Sequence, residues 1–148
     1  MPRSRSQSIV VGLLLGTLAL IVYGSLYPFD ISAEASKLSI ADALAQLSWA
    51  RAGRGDRVAN VLLYAPLGFC LILWLNGRVR RITGIIATIV IGVSLSLSIE
   101  ISQVFIDQRV PSWWDVVLNA AGTAIFPLRK AGTASKKPMK NASAGTSR

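Results

Sequence analysis

The sequence contains no histidine and a single cysteine, Cys70. The first absence removes imidazole proton shuttles, Ser-His dyads and most zinc sites, and the second removes any intramolecular disulfide. Cys70 sits inside an apolar run and reads as a small packed side chain rather than a reactive thiol. Charge is scarce too: only 16% of the 148 residues are Asp, Glu, Lys or Arg, against roughly 25% in an ordinary soluble domain. No nucleophile arrangement, metal set or phosphate loop is legible, so no cofactor or metal is expected.

What the chain has in abundance is apolar surface: 52% of its residues are hydrophobic, and the mean hydropathy is +0.51. These residues gather into four long runs, Ile9 to Leu26, Val58 to Leu75, Ile82 to Ile106 and Trp113 to Leu128. At 1.5 Å rise per residue the first three can cross a hydrocarbon core of about 30 Å, whereas the fourth reaches only ~24 Å and must extend further, thin the bilayer locally or lean on other helices. The fold class expected is therefore all-α, a polytopic membrane protein with four transmembrane helices. Within the third run, Ser94-Leu95-Ser96-Leu97-Ser98-Ile99-Glu100-Ile101-Ser102 alternates with the period of a strand. A lone strand in lipid would leave its backbone groups unpaired at several kcal/mol each, so a helix is expected there as well.

The net charge of +9 would suggest nucleic-acid binding in a soluble protein. Here the cations lie in blocks between the apolar runs. Two precede the first span, four lie in residues 27–57 beside four acids, three in Arg78 to Arg81, one in residues 107–112 and six after Leu128. The positive-inside bias then puts both termini and the Arg78 to Arg81 turn in the cytoplasm, in the orientation N-in/C-in, with residues 27–57 as an outer loop. Tyr23, Tyr27, Trp49, Trp113 and Trp114 fall at the outer interface and Trp74 at the inner one, as aromatic belts require. An alternative, cleavage as a signal peptide at Ala33-Glu34-Ala35, conflicts with an apolar run longer than a signal core.

Smaller features follow. Ser39 with Asp42 begins a short amphipathic helix bearing Ile40, Leu44 and Leu47, or an ordinary ordered loop. Residues 129–148 form a basic tail with almost no apolar anchor, expected to be disordered and drawn to anionic lipid, not to nucleic acid. Gly12-Leu-Leu-Leu-Gly16 matches the small-residue packing motif, with chance nearly as good an explanation. Pro66 is expected to kink the second span. Arg54-Gly55-Asp56 is a coincidental adhesion tripeptide.

The polar residues inside the spans converge. Asp56, Asn60 and Tyr64 lie along one stripe at the outer end of the second span, and Asp115 and Asn119 repeat that spacing in the fourth, followed by Gly122 and Thr123. Ser96, Glu100 and Gln103 share an arc of about 60° on the third. A charge near a helix centre costs on the order of 2.5–3.5 kcal/mol, which the surrounding Ile, Val, Leu and Phe residues outweigh. Glu100 should therefore face the bundle and meet Asn60, Asn119 or Arg109, or carry a proton. The bland reading is that Asn60, Gln103 and Asn119 merely tie helices together, at about 0.6 kcal/mol per pair. The functional one is a ligand-binding pocket of Asp56, Asn60, Glu100, Gln103, Arg109, Asp115 and Asn119.

Tyr27-Pro28-Phe29-Asp30, Asp56-x-x-x-Asn60 running into Ala65-Pro66-Leu67-Gly68-Phe69, Glu100-x-x-Gln103, and then Arg109, Ser112, Asp115, Asn119 and Gly122 form a combined pattern. It resembles the VanZ-like family of bacterial membrane proteins, over roughly Tyr27 to Phe126. The resemblance implies the bacterial cytoplasmic membrane and envelope chemistry; the glycopeptide resistance associated with the founding member does not carry over. The leading expectation is a protein, not assigned to any reaction, that recognises a lipid-linked envelope precursor or its head group. Arg109 would contact its anionic part, Asn60, Gln103 and Asn119 would hydrogen-bond it, and Glu100 and Asp115 would orient it. The competing expectations are an intramembrane enzyme using Glu100 as acid or base beside Asp115 or Asp56 on a lipid substrate, and an ion-coupled permease or assembly partner of another membrane protein. For the permease, the inner halves of the spans offer little polarity beyond Thr83 and Thr88.

Overall fold

The computed structural model describes residues 5–33, 35–49 and 53–135, and they are helical through the apolar runs except at the end of the third, where the helix stops at Gln103 and residues 104–106 form a turn. In chain order the helices are α1 (Arg5–Leu26), α2 (Ile40–Gln46), α3 (Arg54–Leu75), α4 (Arg81–Gln103) and α5 (Trp113–Ser135), with one 3-10 turn at Ala35–Lys37. Three of them, α1, the Arg57–Leu75 portion of α3, and α4, are long and apolar enough to cross a membrane. α5 continues past Leu128 to Ser135, which lengthens it to roughly 35 Å by helical rise and makes the first part of the expected tail helical. Residues 136–148, the remainder of that tail, lie outside the described residues.

The serine-rich stretch of α4 shows why a two-residue alternation is compatible with a helix. Thr88, Gly92, Ser96, Ile99, Glu100 and Gln103 are buried, a spacing of three to four that only a helix generates. The outward hydroxyls satisfy themselves on their own helix: Ser98 donates to the Ser94 carbonyl at 2.8 Å and Ser102 to the Ser98 carbonyl at 2.7 Å. Thr88 does the same with Gly84 at 2.8 Å.

The apolar core joins Ile21 of α1, Tyr64, Leu67 and Leu71 of α3 and Ile99 of α4. Cys70 is buried near it as a packed thiol. α5 nests against α3 and α4 through missing side chains. A Cβ on Gly68 would collide with the main chain of Thr123, and one on Gly122 would lie 2.5 Å from the Val61 carbonyl oxygen. Such close approach is the usual way helices associate without a hydrophobic driving force between them. Gly12 and Gly16 of α1, by contrast, face nothing within 4 Å. Pro66 lies within α3 without ending it, and Pro127 does so within α5.

α2 is a real helix with a full capping box. The Ser39 hydroxyl accepts from the Asp42 N–H at 3.2 Å, and the Asp42 carboxylate accepts from the Ser39 N–H at 3.1 Å. Its buried face is Ala43 and Leu47. Ile40 is 69% exposed.

Candidate functional site

At one end of the bundle the 27–53 connection is bonded onto the turn between α4 and α5. The Ser32 N–H donates to Phe105 O at 2.9 Å, the Asp107 N–H to Asp30 O at 2.9 Å, and the Trp113 N–H to Ser48 O at 3.0 Å. Trp49 stacks on Trp113 and meets Trp114 edge-on. Phe29 and Gln108 both hold positive φ, 65° and 68°. That conformation is costly for residues with a side chain, and such residues concentrate at functional sites.

Beneath this clamp lies a cavity of about 440 Å³ between α1, α3, α4 and α5. Its lining includes Asn60, Glu100, Gln103, Arg109, Asp115 and Asn119, six of the seven residues the sequence singled out. The seventh, Asp56, falls in the first turn of α3, and its side chain lies outside the described residues. Gly24 and Ser25 at the end of α1, and Gln108, join the lining without having been picked out. Only the positive-φ turn at Gln108 marks that residue, and the two α1 positions contribute through main chain that no side-chain pattern reports.

Glu100 is 2% exposed, and its Oε2 accepts the Ser112 N–H at 2.8 Å. This ties α4 to the first turn of α5 and supplies a charge-assisted bond to a carboxylate that lipid could not solvate. The Ser112 hydroxyl in turn accepts from the Trp114 N–H at 3.1 Å. Asp115, one helical turn along, sits near enough to Glu100 for the two acids to repel. Asn119 donates through Nδ2 to the Ser96 hydroxyl at 2.9 Å, while its buried Oδ1 accepts no hydrogen bond from the described residues. The Thr123 hydroxyl closes the stripe on Asn119 O at 2.9 Å.

The expected anion contact of Arg109 takes a different form. Its guanidinium turns onto the carboxyl end of α1: Nε donates to Tyr27 O at 3.0 Å, and Nη2 to Gly24 O at 3.2 Å and also to Tyr27 O. Gln103 Nε2 donates to Ser25 O at 2.9 Å. A helix end presents unpaired carbonyls and a partial negative charge, which a cation satisfies. Arg109 therefore acts first as the cap that holds α1 to the rest of the site.

The arrangement coincides with a known sequence family, since the VanZ/LLP1 family model matches residues 10–128. The chain belongs to the VanZ/LLP1 family. Comparison with curated proteins and with solved structures gave no match. The family match takes in every helix that lines the cavity, and all six lining residues named above fall inside it. With its apolar helices, this VanZ/LLP1 protein is a membrane protein.

Proposed function

We propose that this VanZ/LLP1 protein crosses the bacterial cytoplasmic membrane four times, with both termini inside, and recognises the head group of an envelope lipid or lipid-linked precursor in the cavity beneath the clamp. The observation that carries the reading is the cavity itself: buried and half-buried polar side chains from three helices converge on one space of about 440 Å³, within the usual range for small-ligand sites. Groups serving only to tie helices would spend their hydrogen-bonding capacity on one another. Here Asn119 keeps an unused acceptor, and Glu100 receives a single main-chain donor.

The topology is supported by the arginines at the opposite end, Arg78, Arg80 and Arg81, and by the length of α5, whose polar face is covered by α3 and α4 rather than left to lipid. Binding is preferred to catalysis because the one hydroxyl residue in the lining, Ser25, is held there through its main-chain oxygen, with no base shown activating it.

The test is to purify the full chain in native lipid and identify what remains bound in wild type and in Glu100→Gln. A lipid-derived ligand lost in the variant supports the reading, and identical bound material in both overturns it. Turnover of a labelled lipid-linked intermediate by wild type would transfer Glu100 and Asp115 to an acid-base role. Topology is read by impermeant thiol labelling of Leu38→Cys and Val79→Cys, with the buried Cys70 as a quiet background. Labelling of position 38 in intact cells and of 79 only after permeabilisation is expected, and the reverse pattern refutes the orientation.

A further inference from the structure

The cavity's hydrogen-bonding inventory is lopsided, and this decides which chemistry it accepts. Its principal donors are turned away to main chain or to a neighbouring helix: Arg109 through Nε and Nη2 to α1, Gln103 through Nε2 to Ser25 O, and Asn119 through Nδ2 to Ser96. An amide that donates through its nitrogen leaves its oxygen for another partner, and a carboxylate that accepts through one oxygen leaves the other. The oxygens remaining are Gln103 Oε1, the second oxygen of Glu100, and Asn119 Oδ1, which is buried without a partner in a side chain only 3% exposed. Asp115 adds a second carboxylate to the same lining. An anionic phosphate placed among these groups would meet two carboxylates and these acceptor oxygens, with the Asn60 amide and Arg109 Nη1 among the donors left to replace its lost water.

Resting on the head-group reading above, we infer that the cavity selects a primary ammonium group, of the kind carried by an ethanolamine or other amino-bearing lipid head group. An ammonium has three N–H donors and no acceptor, which complements a set of three acceptor oxygens, and its charge offsets carboxylates held away from water. A quaternary ammonium has the charge without the donors. A glycerol head group has hydroxyl donors without the charge. The two parts of the recognition are therefore separable.

The experiment uses the full chain reconstituted with equal amounts of phosphatidylethanolamine, phosphatidylcholine and phosphatidylglycerol of identical acyl chains, with lipids retained on the protein counted by native mass spectrometry. Wild type should retain the ethanolamine lipid about tenfold over each of the others. Glu100→Gln and Asn60→Leu should each bring the ratio close to one. Asn60 lines the cavity and its side chain makes no hydrogen bond to the described residues, so its variant tests the site even if Glu100→Gln fails to fold. Equal retention of all three lipids by wild type, or an ethanolamine preference that neither variant disturbs, overturns the inference. Cavity-dependent retention of the glycerol lipid would leave the head-group reading standing and remove the ammonium one, whereas lipid retention insensitive to both variants would remove both.

Discussion

The two ends of the bundle each carry arginine, and they use it in opposite ways. At the clamped end Arg109 reaches from the α4–α5 turn to carbonyls at Gly24 and Tyr27, joining segments more than eighty residues apart. At the other end Arg78 folds onto its own neighbourhood, donating to the Trp74 carbonyl four residues away with its guanidinium 4.9 Å from the Trp74 ring centroid. The turn there is a tight one through Gly77, at φ 77°, and the adjoining cavity is small, about 170 Å³. One cation joins distant segments around the cavity; the other stays on the turn it belongs to. A count of positive charges per loop treats them alike, although only the second kind needs nothing but its position relative to a membrane.

The sharpest way to break this contrast is to pull the ends out of register through the contact they share. Gly68→Ala places a methyl group against the main chain of Thr123, where no side chain can yield. We expect a loss of about 3 kcal/mol or more, at the upper end for overpacking, seen as a large fall in Tm in detergent together with loss of ligand at the clamped end.

Next in size, Arg109→Ala leaves α1 carbonyls uncapped and should cost about 2 kcal/mol. Arg109→Lys should recover only part of it, because an ammonium cannot fork across Gly24 and Tyr27. Equal stability of the alanine variant and wild type in thermal unfolding would remove the cap.

At the far end Arg78→Ala should cost less than about 1 kcal/mol, the value of an exposed cation–π contact. Its effect belongs in orientation, which thiol labelling reads. A stability loss matching that of Arg109→Ala would erase the distinction between the ends.

The smallest effect lies in α2. Ser39 hydrogen bonds, from side chain and main chain, hold the Asp42 carboxyl below its ordinary value of 3.8. A lowered folded-state value means that the cap's contribution is complete above the unfolded value and disappears as pH falls through the folded one. Amide exchange in α2 should therefore quicken below about pH 3.8, and Ser39→Ala should make it fast at neutral pH with little further acid dependence. Unchanged exchange in that variant would show that burial of Ala43 and Leu47 alone retains the helix.

Much of the site was legible before the fold was known. Asn60, Glu100, Gln103, Asp115 and Asn119 stand out because polar side chains in an apolar run must find one another or a ligand, and helical spacing says which of them share a face. Arg109 was legible as a participant but not in its role, since no periodicity reports that a guanidinium will turn back onto the carbonyls of a helix distant in sequence. Gly24 and Ser25 were invisible for the same reason. Hydropathy left open whether α5 runs past Leu128, because a helix continues as long as its backbone bonds do and not only while its residues are apolar.

The sequence alone determined that this protein is helical, built around long apolar spans and bound to a membrane, since chain length in lipid and the cost of unpaired backbone groups leave no other form. It also determined which residue types lie too deep to be solvated. Only the tertiary structure decided which atoms of those residues are already engaged, because a hydrogen bond depends on where two helix ends meet, and that meeting is set by glycines packed against backbone at Gly68 and Gly122 rather than by the polar residues themselves.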